Sequence, residues 1–221
     1  MNRIAIPLIA VTFITSSLFA QGKTELKTRK DSVSYLVGMN VARDMKRELI
    51  DADLNVLTRG IKDMLAGHAV INEEAAEHLR TSLQQEITAK QSDKNKKEGA
   101  EFLAENKKKV GVQTTSSGLQ YKVLTEGSGP KPTADQTITV NYRGTLVDGT
   151  EFDSSFKRGK PVTYPLNRMI KGWIEGIQLM SVGSKYEFYV PSDLAYGQGG
   201  MSTVIPPNAT LIFEVELLGV K

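Results

Sequence analysis

The side chains that most often perform covalent or metal chemistry are scarce in this sequence of 221 residues. It contains no cysteine and two histidines, His68 and His78. The lack of cysteine excludes disulfides, thiolate nucleophiles, iron–sulfur clusters and zinc sites with sulfur ligands. Two histidines nearly exclude a histidine metal cluster, so we expect no metal ion and no cofactor. Any chemistry must therefore use few titratable groups.

Charge and loop composition disfavour two further classes of ligand. A net charge of +3, from 28 Lys and Arg against 25 Asp and Glu, is too small to indicate a nucleic-acid partner or a membrane surface. Gly197, Gly199 and Gly200 could form a phosphate-binding loop, but the lysine and following helix of a nucleotide loop are absent. These glycines are more typical of a mobile loop.

Residues 1–20 have the pattern of a secretory signal peptide. Arg3 supplies a positive charge, and the apolar run that follows extends without another charge to Ala20, a small residue suited to cleavage. The run is short for a membrane span, which needs about 20 apolar residues. An uncleaved N-terminal anchor is the alternative. We expect export to the periplasm and no membrane contact after cleavage. Outer-membrane association and an extracellular position are the alternatives.

Residues 21–71 show apolar side chains at helical spacing and predict two amphipathic helices, with Asp31 or Ser32 capping the first. These short helices have little to pack against within one chain. We therefore expect two chains to bury the apolar stripes together, so that 21–71 is a dimerisation module and the protein a homodimer. The stripes are Val33, Leu36, Val37, Val41, Met45 and Leu49, then Leu57, Ile61 and Leu65.

Residues 72–110 predict one long connecting helix. Asn72 can cap it, and the lysine- and glutamate-rich stretch that follows favours helix although it cannot bury a face for most of its length. We predict a solvent-exposed rod continuing to about Lys109 and holding two modules apart; a flexible linker is the alternative. Gly99 is its weak point, at a cost of about 1 kcal/mol relative to alanine.

Residues 111–221 change to a periodicity of two. Alternating segments predict four or five antiparallel strands, and Ile170, Trp173, Ile174 and Ile177 share one face of a short helix between them. This pattern predicts an α+β fold in which a half-open antiparallel sheet wraps around a short helix. The strand segments are Leu119–Leu124, Thr137–Tyr142 with Thr145–Val147, Ser184–Val190 and Thr210–Leu218.

The segment from Gly118 to Leu218 resembles the FKBP-type peptidyl-prolyl cis-trans isomerases. The resemblance is carried by VNYRGTLVDGTEFDSS, IKGWIEGIQLMSVGSKYEFYVPSDLAYG and IPPNATLIFEVELL, in the family's order. The whole chain resembles the secreted two-domain members, the macrophage infectivity potentiator type, through SVSYLVGMNVARDMK and FLAENKKK. The resemblance implies an isomerase domain at 111–221 behind an N-terminal helical dimerisation module.

The resemblance also implies a proline-binding pocket. Trp173 would form its floor, Tyr196 would donate its hydroxyl to the substrate carbonyl, and Asp153 would be a buried carboxylate oriented by Tyr142 and Arg158. The walls would be Tyr142, Phe152 and Phe213, and further lining and rim would come from Val162, Met169, Ile170, Met201, Val204 and Ile205.

Single residues of this set have simpler interpretations. A lone aromatic is usually core, and Asp153 could cap a turn before Ser154 and Ser155; the joint occurrence in family order favours the pocket. Many family members have an aromatic in place of Val162 and a histidine in place of Met201. These differences bear on macrolide inhibitor binding and on the residue preferred before proline.

Two functions are compatible with these features. The first is a peptidyl-prolyl cis-trans isomerase that accelerates folding of exported proteins, with unfolded or nascent proline-containing polypeptides as its partners. The second is a dimeric periplasmic chaperone that holds unfolded clients and isomerises proline incidentally. An intact pocket favours the enzyme.

Overall fold

The computed structural model describes residues 25–201 and 204–221. The chain divides between Asp44 and Met45 into two compact units. The predicted signal peptide, residues 1–20, lies outside the described residues. Within them, no helix is both long and apolar enough to span a bilayer.

The first two helices are α1, Arg29–Arg47, and α2, Leu54–Leu65. The predicted cap of α1 was wrong. The Asp31 amide donates to Thr28 Oγ1 at 3.1 Å and the Thr28 amide donates to Asp31 Oδ2 at 2.9 Å, a reciprocal arrangement that places Thr28 before the helix and Asp31 in its first turn. Asp53 caps α2 by accepting from the amides of Asn55 and Val56.

The third helix, α3, runs from Glu73 to Asn106. The predicted cap is confirmed, because Asn72 Oδ1 accepts from the Ala75 amide at 2.8 Å. The helix ends three residues before Lys109, and its 34 residues correspond to a length of about 51 Å.

The prediction that α3 continues as a solvent-exposed rod to about Lys109 was wrong for its C-terminal part. Gly99 and Asn106 are buried. Asn106 Nδ2 donates to Gln120 Oε1 at 3.0 Å, and the ring of Phe102 lies 5.9 Å from that of Tyr189. Although this stretch is polar, the last turns of α3 are packed on the sheet that follows.

Within the described residues, seven strands form one antiparallel sheet. This number exceeds the predicted four or five because β1, β4 and β5 are too short for a clear alternation. The order is β1-β2-β6-β7-β3-β4, and β5 pairs with the other end of β3. The strands are β1 Val112–Thr114, β2 Gln120–Thr125, β3 Thr137–Leu146, β4 Glu151–Ser154, β5 Val162–Pro165, β6 Lys185–Val190 and β7 Leu211–Val220.

A short helix, α4, Lys171–Ile177, packs on this sheet. The approach is close, since a Cβ on Gly176 would lie 2.6 Å from the Phe188 ring. Inward residues of β3, β6 and β7 alternate with half-buried ones and form the core with α4. The α+β prediction of an open antiparallel sheet around a short helix is confirmed.

Candidate active site

A cavity of about 330 Å³ opens between the start of α4 and strands β3, β4, β5 and β7. Its wall is mainly apolar and aromatic, and Asp153 is its one carboxylate within the described residues. The lining side chains are Tyr142, Phe152, Asp153, Tyr164, Arg168, Met169, Ile170, Trp173, Tyr196, Met201 and Phe213.

Four aromatic rings form one packed group at this cavity. The Trp173 ring meets Tyr142 edge-on at 5.2 Å and Phe213 at 5.3 Å, and Phe152 meets Phe213 at 5.5 Å. Such T-shaped pairs stabilise a fixed arrangement beyond the area they bury. The cavity is therefore lined by rings whose orientations are set by one another.

Strand register brings these rings together. Phe213 on β7 lies opposite Gly144 on β3, and Asp153 on β4 pairs with the same glycine. A Cβ at Gly144 would lie 2.6 Å from the Phe152 ring and 3.0 Å from Phe213. The missing side chain makes room for two aromatic walls.

The polar edge of the cavity is a network of three residues. The Tyr142 hydroxyl and Arg158 Nη1 each donate to one carboxylate oxygen of Asp153. Arg158 Nη2 donates to the Tyr142 hydroxyl oxygen at 2.9 Å, and the Ser154 amide donates to Asp153 Oδ1 at 2.8 Å. Asp153 was predicted to be buried, but its side chain is 39% exposed. It is only half-buried because it lies at the cavity mouth.

These contacts determine the charge states. Burial tends to raise the pKa of Asp153, but hydrogen bonds from Tyr142 and Arg158 outweigh burial and hold that pKa below its ordinary value. Burial and then the hydrogen bond to Asp153 raise the pKa of Tyr142 above the range of free tyrosine. Burial and the charge of Asp153 also raise the pKa of Tyr196. At neutral pH the carboxylate is therefore charged and both phenols keep their protons.

Tyr196 lies just before a loop at the cavity rim. Its ring lines the cavity, and among residues 25–201 and 204–221 its hydroxyl has no hydrogen-bond partner. The loop that follows, of which residues 197–201 and 204–208 are described, begins with Gly197 at a φ of 58°. Met201 and Ile205 exchange backbone hydrogen bonds of 2.8 and 3.1 Å within it.

The structure brings nine of the thirteen predicted site residues to the cavity wall and leaves four away from it. Arg158 contacts the cavity only through Asp153 and Tyr142. Val162 lies on β5 opposite Val140 and packs against the core. Ile205 is 1% exposed and belongs to the core, whereas Val204 is 46% exposed.

Sequence reasoning missed Tyr164 and Arg168 as lining residues. Tyr164 could have been found through the predicted residue Val162, because residues two positions apart in an extended segment share a face. Arg168 had no such signal. It ends a 3₁₀ turn, Leu166–Arg168, and only the path of the chain between β5 and α4 brings it to the mouth.

Comparison with known families gives two matches that follow one another along the chain. Residues 129–218 match the family described as "FKBP-type peptidyl-prolyl cis-trans isomerase". Residues 30–123 match "Domain amino terminal to FKBP-type peptidyl-prolyl isomerase". The second match spans all of α3 and ends within β2.

Individual relatives match along most of the chain. "Outer membrane protein MIP" of Legionella longbeachae is 40% identical, covering 94% of this chain and 93% of the relative. "FKBP-type peptidyl-prolyl cis-trans isomerase FkpA" of Aeromonas hydrophila is 44% identical, covering 90% and 79%. The crystal structure of FkpA from Escherichia coli superposes with a TM-score of 0.66 at 34% identity, covering 89% of this chain and 99% of that one. The chain therefore belongs to the FKBP-type peptidyl-prolyl cis-trans isomerase family and is a peptidyl-prolyl cis-trans isomerase.

Proposed function

We propose that the chain isomerises X–Pro bonds of exported proteins as they fold, and that the aromatic cavity is where the prolyl residue binds. The observation that carries this proposal is a ring-lined cavity of about 330 Å³ with neither histidine nor cysteine anywhere in residues 111–221. Isomerisation breaks no covalent bond, so it requires no nucleophile.

An apolar cavity suits this reaction for a physical reason. Partial double-bond character in the C–N bond creates a barrier of about 18–20 kcal/mol. The twisted transition state has lost amide resonance, so its carbonyl group is less polarised than in the planar ground state. An apolar wall therefore disfavours the planar amide more than the twisted one, and a hydrogen-bond donor fixes the orientation of the bound backbone.

Each lining residue then has a role. The proline ring rests on Trp173 between the rings of Tyr142, Phe152 and Phe213, with Met169 and Ile170 completing the apolar surface. Tyr196 supplies the donor, because its hydroxyl is protonated and has no hydrogen-bond partner within the described residues. Arg158 and Asp153 hold the Tyr142 ring in place. Val162 and Ile205 support the wall from behind, and Met201 and Val204 form the rim.

The test is turnover of a proline tetrapeptide by the full chain and by Asp153→Ala, which removes the partner of both Tyr142 and Arg158. We expect the rate to fall more than tenfold, or more than about 1.4 kcal/mol in barrier. Lys160→Ala is the matched control, because Lys160 is exposed and follows β4, the strand that carries Asp153. Phe213 is 4% exposed, so Phe213→Leu is the safer second variant. Normal turnover in both pocket variants would remove the cavity from the mechanism.

We propose further that α1 and α2 form a homodimer by burying their apolar stripes. Neither helix has a buried residue in a single chain; Val37 is 56% exposed and Leu65 85%. Deleting residues 21–71 should give a monomer that still isomerises short peptides but suppresses aggregation of an unfolded protein poorly. A deletion variant that still elutes as a dimer would contradict the assignment of dimerisation to α1 and α2.

The signal-peptide pattern of residues 1–20 supports a periplasmic location for the mature protein. The chain expressed in a Gram-negative host should be recovered from the periplasm with Gln21 as its first residue, as read by N-terminal sequencing. Recovery of the intact chain in the membrane fraction would favour an uncleaved anchor instead.

A chaperone that isomerises proline only incidentally is not better supported, since the relatives named above include isomerases.

We propose that a macrolide inhibitor binds the same cavity, with an affinity altered by Val162 and Met201. Inhibition of tetrapeptide turnover of the full chain by a macrolide would be the expected result, and undiminished turnover would contradict it.

A further inference from the structure

Two side-chain hydrogen bonds join α3 to the end of the loop beside the cavity. Asn95 Nδ2 donates to the carbonyl oxygen of Pro207 at 2.7 Å. Asn208 Nδ2 donates to Ser92 Oγ at 2.7 Å. Ser92 and Asn95 are three residues apart and so lie on one face of the helix. One turn of α3 therefore holds two adjacent loop residues.

This joint, the contact of Ser92 and Asn95 with Pro207 and Asn208, is specific in geometry. Gln91 Nε2 donates to Asn95 Oδ1 at 2.9 Å, and this bond leaves the amide group of Asn95 facing Pro207 with its donor side. One turn further on, a Cβ at Gly99 would lie 2.3 Å from Thr210 Oγ1. These contacts place consecutive turns of α3 against residues 207–210.

The same loop residues connect to the cavity. The Asn208 amide donates to the Gly197 carbonyl oxygen at 2.9 Å, which joins the end of the loop to its start next to Tyr196. Asn208 has a φ of 53°, a left-handed conformation that asparagine tolerates. Tyr196 and Met201, before and within this loop, both line the cavity.

We propose that Ser92 and Asn95 are positioning residues for the isomerase: through Pro207 and Asn208, α3 fixes the loop that presents Tyr196 and Met201 to the substrate. The inference rests on the pocket roles proposed above. Neither residue touches the cavity, and both lie in the segment that the sequence alone presented as a spacer. In this arrangement the last turns of α3 are part of the catalytic unit.

The experiment compares the full chain with Ser92→Ala, Asn95→Ala and the double variant. Ser92→Thr, which keeps the hydroxyl, is the conservative partner of Ser92→Ala, and Lys97→Ala is a control on the exposed side of the same helix. Hydrogen exchange of the Met201, Ile205 and Asn208 amides reports opening of the loop. We expect exchange to accelerate about fivefold for each bond removed, with Ser92→Thr and Lys97→Ala close to the parent.

Kinetics separate positioning from a loss of active protein. A loosened loop lowers the fraction of molecules competent to bind, and this raises KM while substrate bound at saturation still restores kcat. We expect the double variant to raise KM for the tetrapeptide at least threefold with kcat within twofold of the parent. Irreversible loss of folded protein would instead lower kcat and leave KM unchanged.

Three results would overturn the inference: unchanged exchange in the double variant, faster exchange with unchanged KM, or a defect in Ser92→Thr as large as in Ser92→Ala. The parent chain is the reference for the proposed pocket. A parent without turnover would refute the pocket roles, whereas the exchange rates would still decide whether α3 holds the loop.

Discussion

Gly99 is a position where the sequence and the structure predict opposite effects of one substitution. In an exposed helix, Gly99→Ala should stabilise the protein by about 1 kcal/mol, because alanine is the better helix former. In the structure the new Cβ would lie 2.3 Å from Thr210 Oγ1 and 3.2 Å from Thr210 Cβ. Thr210 is 6% exposed, so it has little room to move.

The magnitude follows from the two opposing effects. Forcing a methyl group into a packed site costs about 1–3 kcal/mol, against the gain of about 1 kcal/mol in helix propensity. The net expectation is destabilisation by about 1 kcal/mol, which lowers the thermal midpoint by about 2–4 °C for a unit of this size. An exposed rod would give a rise of similar size.

The assay is thermal or urea unfolding of Gly99→Ala, Thr210→Ala and the double variant, followed by circular dichroism. Removing the Thr210 side chain opens the space, so alanine at position 99 should become neutral or stabilising in that background. Lys97→Ala, at an exposed position, should change stability by no more than about 0.5 kcal/mol. A higher midpoint for Gly99→Ala alone, or no rescue by Thr210→Ala, would refute the docking of α3.

Three other predictions concern the isomerase domain. Because the pKa of Asp153 is lowered in the folded state, the contacts of this carboxylate stabilise the fold fully above its ordinary pKa of 3.8. They are lost as pH falls through the lower folded value. Tetrapeptide turnover should therefore be flat from about pH 5 to 8, where histidine and thiolate groups titrate, and a step in that range would contradict the prediction. Arg168 at the cavity mouth should favour acidic residues next to proline by roughly twofold to fivefold, as exposed ion pairs allow; Arg168→Gln should abolish the difference between Glu-Pro and Gln-Pro peptides, and an unchanged ratio would exclude Arg168 from specificity. Asn106→Ala should lower stability by about 1–3 kcal/mol in urea unfolding, because it leaves the buried Gln120 Oε1 unpaired; a smaller loss would show that water replaces the bond.

Much of the fold was accessible from local patterns. Asn72 caps α3 as predicted, and the alternation of Thr137–Tyr142 and Thr210–Leu218 identified the two longest strands of the described residues. These features depend on residues near one another in sequence, where periodicity and capping chemistry act directly. The cavity residues came from the resemblance to a family and not from periodicity, because a lone aromatic in a strand has the same pattern whether it lines a cavity or fills a core.

The contacts that could not be predicted join distant parts of the chain. Nothing local to Asn95 indicates that its amide meets Pro207, and nothing local to Arg168 indicates that it reaches the cavity mouth. The polar composition of the lysine-rich stretch also hid this contact. One side of the helix is exposed, whereas on the other side two polar residues, Ser92 and Asn95, and the small residue Gly99 contact residues 207–210. A contact made of hydrogen bonds and a missing side chain leaves no hydrophobic stripe.

The docking of α3 changes how much of the helix can act as a spacer. The first side-chain hydrogen bond from α3 to the isomerase domain within the described residues is at Ser92. The free part before it comprises residues 73–91, about 28 Å at the rise of an α-helix, or roughly half of the segment 72–110 that the sequence predicts as a connecting helix. The free part still contains the apolar positions Leu79, Leu83 and Ile87, whereas the docked part contains the polar joint. A glycine in the free part would weaken the helix, but at position 99 it permits the contact, so the same residue type has opposite consequences in the two halves.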